Sequence, residues 1–280
     1  MSALIPGKPA PLVPGVWRVL ALNPGMMTGP GTNSYLIGRD SLVLLDPGPA
    51  DSRHVDNLLA AAEQIGAPIE RVLVTHTHRD HSPAAHEVAE RLNVTLTGPT
   101  APDDGLQDER WQPDEPVTDG ARIDAGGLTL RAIATPGHVD NHFCYLLESE
   151  RMLFSGDHLI HGSTVVIAPP SGSMSAYIAS LYRLLDESMT LMAPGHGELI
   201  REPEEYVRHT IAHREKREQK VLDALRAARP PVSAKELVGE VYRDVPAFLH
   251  GVATLSLEAH LIKLGEEGLA EAADDGWRAC

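Results

Sequence analysis

The sequence predicts a mixed α+β body followed by a small helical appendage. Three observations carry that prediction. Short runs of Val, Leu and Ile, bounded by Gly, Pro or Asn, recur between Val16 and Ala193. Segments with apolar residues at helical spacing lie among them. Near Glu204 the character changes, and no convincing strand follows before the last residues. The expected division is a body over 1–203 and a helical domain over 204–280.

Taken in order, Val16–Leu22, Ser34–Ile37 and Leu42–Leu45 read as strands. Between the first two, NPGMMTGPGTN (Asn23 to Asn33) is a loop, because its glycines and prolines disfavour regular pairing. Val55, Leu58, Leu59, Ala62 and Ile65 mark one face of a helix over Arg53–Ile65. Arg71–Thr75 is a short apolar strand, Pro83–Leu92 a helix with proline in its first turn, and Val94–Thr97 another strand. The acid-rich stretch Pro102–Asp119 reads as a solvated excursion. Strands resume at Leu128–Ala134, Phe143–Leu147 and Met152–Ser155, followed by a helix over Ser175–Leu185 and a strand at Leu191–Ala193. In the appendage, Glu204–Ala228 is a long charged helix that Pro230-Pro231 breaks. Ser233 caps the next helix, through Tyr242, in a Ser-x-x-Glu pattern with Glu236. Gly251–Glu267 is the third helix, and with the closing GLAEAADDGWRA the set is similar to a winged-helix module.

Composition narrows the function classes. Of 280 residues, 42% are hydrophobic and 22% charged, a mix that folds rather than staying disordered. Lys and Arg number 24 against 39 Asp and Glu, a net charge of −15. The body carries −12 of this and the appendage −3. That field repels polyanions, so nucleic acid would need a local basic patch or a metal. Aromatics at 4% advertise no stacking surface. Cys144 and Cys280 cannot build a disulfide framework and fit a reducing compartment. The opening MSALIPGKPAPLVPG is too proline-rich for a signal peptide, and no apolar run is long enough to span a membrane. A cytoplasmic location is expected.

The sharpest chemical feature is Thr75-His76-Thr77-His78-Arg79-Asp80-His81, directly after an apolar strand. Four metal-competent side chains within six residues suit two neighbouring ions better than one. His76 and His78 can point the same way off an extended segment, while Asp80 and His81 follow as the chain enters a helix. Imidazole and carboxylate suit Zn²⁺, with Fe and Mn as competitors. Further donors are needed, and three later sites provide them: His138 in TPGH, Asp157 in SGDH and His196 in APGHG, each past a strand and beside a glycine. The expected assignment puts His76, His78 and His138 on one ion, Asp80, His81 and His196 on the other, and Asp157 between them. His54, His86, His209, His213, His250 and His260 have no such context and read as solvated or locally bonded.

In this order, HxHxDH, PGH, GD and PGHG resemble the metallo-β-lactamase-fold hydrolase superfamily across residues 16–200. The resemblance implies an αββα sandwich, and for Asp46 in LLDPG a role in orienting the ligands. GPGTNSYLIG and HREKREQK look more specifically like the β-lactamase-like-protein-two branch, which has a winged-helix-like C-terminal domain and includes endoribonucleases. True β-lactamases of the commonest type have Cys where this chain has Asp157, and flavin-linked diiron reductases have Glu at the position of His78. Ser82-Pro83-Ala84-Ala85 departs from the Gly-Gly that many members carry after the last His.

The expected reaction is two-metal hydrolysis, in which a hydroxide bridging the ions attacks a small ester, thioester or lactone. Asp80 would hold an ion, orient the nucleophile and shuttle a proton. Met27, Thr32, Asn33, His142, His158, Val166 and Ile167 are the candidate pocket residues; the run Thr164–Pro170 reads as either a lid or a packed connection. One alternative is a single-stranded-RNA endoribonuclease, with Arg208, Arg214, Lys216, Arg217 and Lys220 as the basic cluster. Another is a DNA-binding regulator with a vestigial hydrolase body, although Gly251–Glu267 offers only Lys263. Phe248, Leu249, Leu255 and Leu257 in the tail would cover the active-site edge or mediate self-association.

Overall fold

The computed structural model describes residues 5–229 and 231–280. The first four residues of the proline-rich leader, and Pro230 of the helix break, lie outside the described residues. Two compact units form: one of residues up to 135 with 141–164 and 188–203, the other of 136–140, 165–187 and 204–280. One cut falls between 203 and 204, and residues 136–140 and 165–187 of the expected body group with the tail.

The first unit is built on two sheets. Strands β1 (Ala10–Val13), β2 (Val16–Leu20), β3 (Asn33–Gly38), β4 (Leu42–Leu45), β5 (Ile69–Leu73), β6 (Thr95–Gly98) and β7 (Glu115–Pro116) lie side by side in sequence order. Pairing is antiparallel through β4 and parallel from there on, because α1 (Ser52–Ile65) and α2 (Ala84–Leu92) return the chain between β4, β5 and β6. Strands β8 (Arg122–Asp124), β9 (Thr129–Ala134), β10 (Phe143–Leu147), β11 (Met152–Gly156) and β12 (Leu191–Pro194) make the second sheet, in the order β12-β11-β10-β9-β8.

Side chains alternate across a strand, so each central strand of the first sheet has two faces to bury. Leu36, Leu44 and Val72 pack under α1 and α2 against Val55, Leu58, Ala85 and Val88. Tyr35, Ile37, Leu45 and Leu73 turn the other way onto Leu130, Ala132, Tyr145 and Phe154 of the second sheet. Both faces are therefore apolar, which is why these strands read as continuous hydrophobic runs. Helix α1 starts at Asp51, whose carboxylate accepts from the Arg53 N–H, and stops at left-handed Gly66.

Three segments of this unit depart from expectation, the first being β8, a short strand the sequence did not suggest. The leader contributes β1, paired to β2. Pro102–Asp119 is exposed along most of its length, as expected, but is anchored in its middle: Gln107, Asp108 and Trp111 are buried, and the Trp111 indole donates to Pro99 O at 2.8 Å.

The second unit holds α3 (Met174–Leu184), α4 (Pro203–Ala227), α5 (Ala234–Val241) and α6 (His250–Glu266). Val221, Leu225, Leu237, Val241, Leu257 and Leu261 form its core. The tail is not helical throughout. GLAEAADDGWRA closes it with a hairpin, β13 (Ala270–Ala273) and β14 (Gly276–Ala279), and Trp277 also exchanges backbone bonds with Val232. Strands of only four residues, AEAA and GWRA, carry too little alternation to announce themselves. Phe248 and Leu255 stay exposed, whereas Leu257 is core. Of the run Thr164–Pro170, Val165 and Ile167 are buried, as a packed connection requires, and Thr164 and Pro170 are exposed. No helix among the described residues is long and apolar enough to cross a membrane.

Candidate metal centre

The loops leaving β5, β11 and β12 carry most of the candidate donors. They are tied together within the first unit by Asn33 N–H to Gly195 O at 2.7 Å and Phe143 N–H to Thr75 O at 2.8 Å. There the structure assembles Asp80, His81, Asp157 and His196, whose donor atoms all lie within 4.8 Å of one another. His196 Nε2 is 3.2 Å from Asp80 Oδ2 and 3.3 Å from Asp157 Oδ1. His81 Nε2 is 3.4 Å from Asp157 Oδ1 and 3.7 Å from Asp80 Oδ2. Four donors bound at about 2.0–2.2 Å around a tetrahedral ion would stand about 3.3–3.6 Å apart. The observed edges bracket that range, so the residues fit a metal ion of zinc size. His81 Nε2, buried without a hydrogen bond, faces into this group.

The opposite ring nitrogens set the tautomers. Asp46 accepts the Thr75 N–H at 2.7 Å, the Thr75 hydroxyl at 2.8 Å and His81 Nδ1 at 3.0 Å. With its hydroxyl donated to Asp46, Thr75 Oγ1 accepts from His76 Nδ1 at 2.9 Å. Gly31 O takes His196 Nδ1 at 3.2 Å, and Val166 O takes His138 Nδ1 at 2.7 Å. All four imidazoles therefore donate from Nδ1, which leaves Nε2 as the atom that would meet a metal ion in place of a proton. His76 and His78 stand edge to face, 4.6 Å between ring centres.

Charge favours a cation here. Burial alone would keep His81 and His196 neutral, but the carboxylates around them outweigh it. They hold His81 well above the usual imidazole range and push His196 up to about 10. The same imidazoles hold Asp157 well below, and Asp80 below, the carboxylate range despite their burial. His76 behaves oppositely: burial, then the neighbouring His81 and His78, drive its pKa well down, leaving it neutral.

Glycine is required beside the donors. A Cβ on Gly195 would lie 2.7 Å from both Asp157 Oδ1 and His81 Cε1. At Gly156 (φ +47) it would meet the Thr75 hydroxyl at 2.6 Å.

The remaining expected residues divide. Met27 is exposed on its loop. Thr32 and Asn33 are fully buried and brace the site instead of facing solvent: Thr32 bonds Asn23, and Asn33 Nδ2 donates to Pro194 O and Gly197 O, both at 2.9 Å. His142 is buried between the Thr135 hydroxyl and the Asp157 N–H, and His158 is buried beside it. Ile167 is buried and Val166 half-buried. Several supporting residues had no expected role. Arg18 donates to Gly197 O and Tyr35 to Pro194 O, while Gln107 accepts from the Thr77 hydroxyl and Asp108 N–H reaches Thr77 O. Only the threonines interleaved in THTH hinted at this support.

Comparison with known proteins agrees with this geometry. Residues 27–200 match the Metallo-beta-lactamase superfamily, and residues 233–277 match the Beta-lactamase associated winged helix domain. A Beta-lactamase-like protein 2 homolog of Drosophila melanogaster is 34% identical over 277 residues, covering 95% of this chain and 92% of that protein. An atrochrysone carboxyl ACP thioesterase of Aspergillus chevalieri is 31% identical over 245 residues, covering 84% of this chain and 75% of that protein. A beta-lactamase domain protein from Burkholderia ambifaria superposes with a TM-score of 0.82 at 23% identity, covering 100% of this chain and 96% of that one. The chain belongs to the metallo-beta-lactamase superfamily of hydrolases and carries that family's associated winged helix domain.

Proposed function

We propose that the protein is a dinuclear metal-dependent hydrolase of small acyl substrates, thioesters before esters and lactones. The observation that carries this reading is the close convergence of Asp80, His81, Asp157 and His196, with Nδ1 of the two histidines tied away from the site. His76, His78 and His138 are assigned as the ligands of a second ion, and Asp157 as the ligand between the two. Zinc is the first candidate for both positions, with iron or manganese as alternatives for the same donors. When bound, two such ions lower the pKa of water toward neutrality and polarise the acyl carbonyl.

The chain's own residues do the rest. Asp80 has the more open carboxylate of the pair, its side chain 30% exposed against 14% for Asp157. Held ionised by His81 and His196, it is placed to take a proton from water and return it toward the leaving thiol or alcohol. Asp46 keeps His81 in register through Nδ1. An apolar acyl arm would lie along Met26 and Met27, which stand exposed on the loop that ends at Gly31, the partner of His196. The thioesterase relative supports this substrate class.

Four of the five basic residues proposed for RNA are engaged within the protein, and Lys216 is exposed. Arg214 and Arg217 are buried, Arg217 and Lys220 both bind Asp244, and Arg208 pairs with Glu204. Lys263, the basic residue expected of a DNA-reading α6, is engaged by Glu218 and Glu267.

The test sets metal-loaded protein against a panel of acyl thioesters, lactones and esters, with end-labelled RNA in parallel. Parent protein is expected to hydrolyse a thioester, and Asp80→Asn to lose about a thousandfold in kcat while remaining folded. RNA cleavage without acyl hydrolysis would overturn the reading.

A further inference from the structure

Within the second unit, the segment that holds His138 is itself held by residues of α4 and α6. Its Nδ1 donates to Val166 O at 2.7 Å. Val166 is fixed in turn by its two neighbours. Arg214 of α4 donates from Nη2 to Val165 O at 2.6 Å, and Ser256 of α6 accepts the Ile167 N–H at 3.1 Å. Arg214 and Ser256 are themselves buried, so neither bond competes with bulk water.

A second line of contact reaches the loop behind His138. The Arg214 guanidinium sits 5.2 Å over the Tyr177 ring. Tyr177 backs directly onto Gly137, where a Cβ would come within 2.3 Å of its Cα at φ +145. Ser173 N–H and the Ser180 hydroxyl of the same region donate to Gly137 O and Pro136 O, each at 2.8 Å. Arg214 thus touches both the segment that receives the imidazole proton and the helix against which the imidazole's loop rests.

We propose that Arg214 and Ser256 are positioning residues for His138: they hold the Val166 carbonyl where it sets the ring's tautomer and aims Nε2. This rests on the assignment of His138 as a ligand. An outer hydrogen-bond partner of a ligating histidine typically contributes 10- to 100-fold in metal affinity, by fixing orientation and raising basicity. Here that partner is a backbone carbonyl, so its position is delegated to side chains on α4 and α6. Within the second unit, α4 and α6 of the winged-helix tail thus set the orientation of this one candidate ligand.

The experiment measures metal content per chain, chelator-competition affinity for each ion and the visible spectrum of the cobalt-substituted protein. It compares the parent with Ser256→Ala, Ser256→Thr, Arg214→Gln and His138→Ala, with melting of the metal-free proteins as the control for folding. Ser256→Ala is expected to weaken one ion about tenfold, spare the other and change the cobalt spectrum, with little change in the metal-free melting temperature. Ser256→Thr, which keeps the hydroxyl, should recover the parent affinity. Should Arg214→Gln fail to fold, the serine pair decides alone. Parent-like affinity for both ions in Ser256→Ala, with one ion lost in His138→Ala, would overturn this inference and leave the function standing. Both ions retained in His138→Ala would remove the ligand assignment and this inference together.

Discussion

Asp46 sits at φ +50, a left-handed backbone that few residues with a Cβ adopt. The strain is compensated by three hydrogen bonds, which use both carboxylate oxygens on Thr75 and His81. An amide at this position would point one N–H at a donor and lose the charge that orients His81 Nδ1. Asp46→Asn is therefore expected to fold, yet to bind metal at the Asp80, His81, Asp157 and His196 group about 10- to 100-fold more weakly. Competition with a chromophoric chelator measures this directly; unchanged affinity would mean that Asp46 serves the backbone alone. The donors themselves were legible in the sequence because HxHxDH and the glycine-flanked PGH, GD and PGHG are local patterns. Thr75, Gln107 and Asp108 were not, because their roles depend on contacts across about thirty residues that no spacing rule encodes.

Helices and central strands were placed correctly to within a residue or two, since periodicity and capping are local properties. Helix α5 shows it: the Ser-x-x-Glu pattern appears as a reciprocal box, Glu236 N–H to Ser233 Oγ at 3.3 Å and Ser233 N–H to Glu236 Oε2 at 2.8 Å. Ser233→Ala removes one half of it and is expected to cost about 1 kcal/mol. A urea titration would show this as a lower midpoint with an unchanged slope. The elements missed were those whose burial is borrowed from a partner. Strand β1 exists because β2 offers an edge, and the two-residue β7 because β6 does. The acid-rich segment between β6 and β7 docks although its composition argues for solvent. Asp108 finds Ser82 and His86, and Asp114 accepts from the Leu96 N–H at 2.8 Å, so these two acids are satisfied within the protein.

For the whole molecule, His54 gives stability a pH dependence with a definite sign. It is completely buried in α1 against the Ser34 hydroxyl, and burial pushes its pKa down to about 4 from 6.5. Between those values the unfolded chain binds a proton that the folded chain does not. Stability is accordingly full above about pH 6.5 and falls as pH drops toward 4, by on the order of 3 kcal/mol if the shift is fully expressed. Denaturation of the parent and His54→Gln at pH 7, 6 and 5 isolates this contribution: the parent should lose stability relative to the variant as pH falls, and a constant difference would remove it.

Burying β3 and β4 on both faces also bears on how the polypeptide finds its correct alignment. Where one face meets water, a slip of one residue exposes the apolar set and is penalised at once. Here a slipped strand would exchange one leucine for another, so hydrophobicity barely distinguishes right from wrong. The decision passes to the reverse turn. A Cβ on Gly38, at φ +148, would come within 1.9 Å of Ser41 O, so glycine alone closes this turn at this length. Error correction for the most water-averse part of the molecule thus resides in one residue that has no side chain.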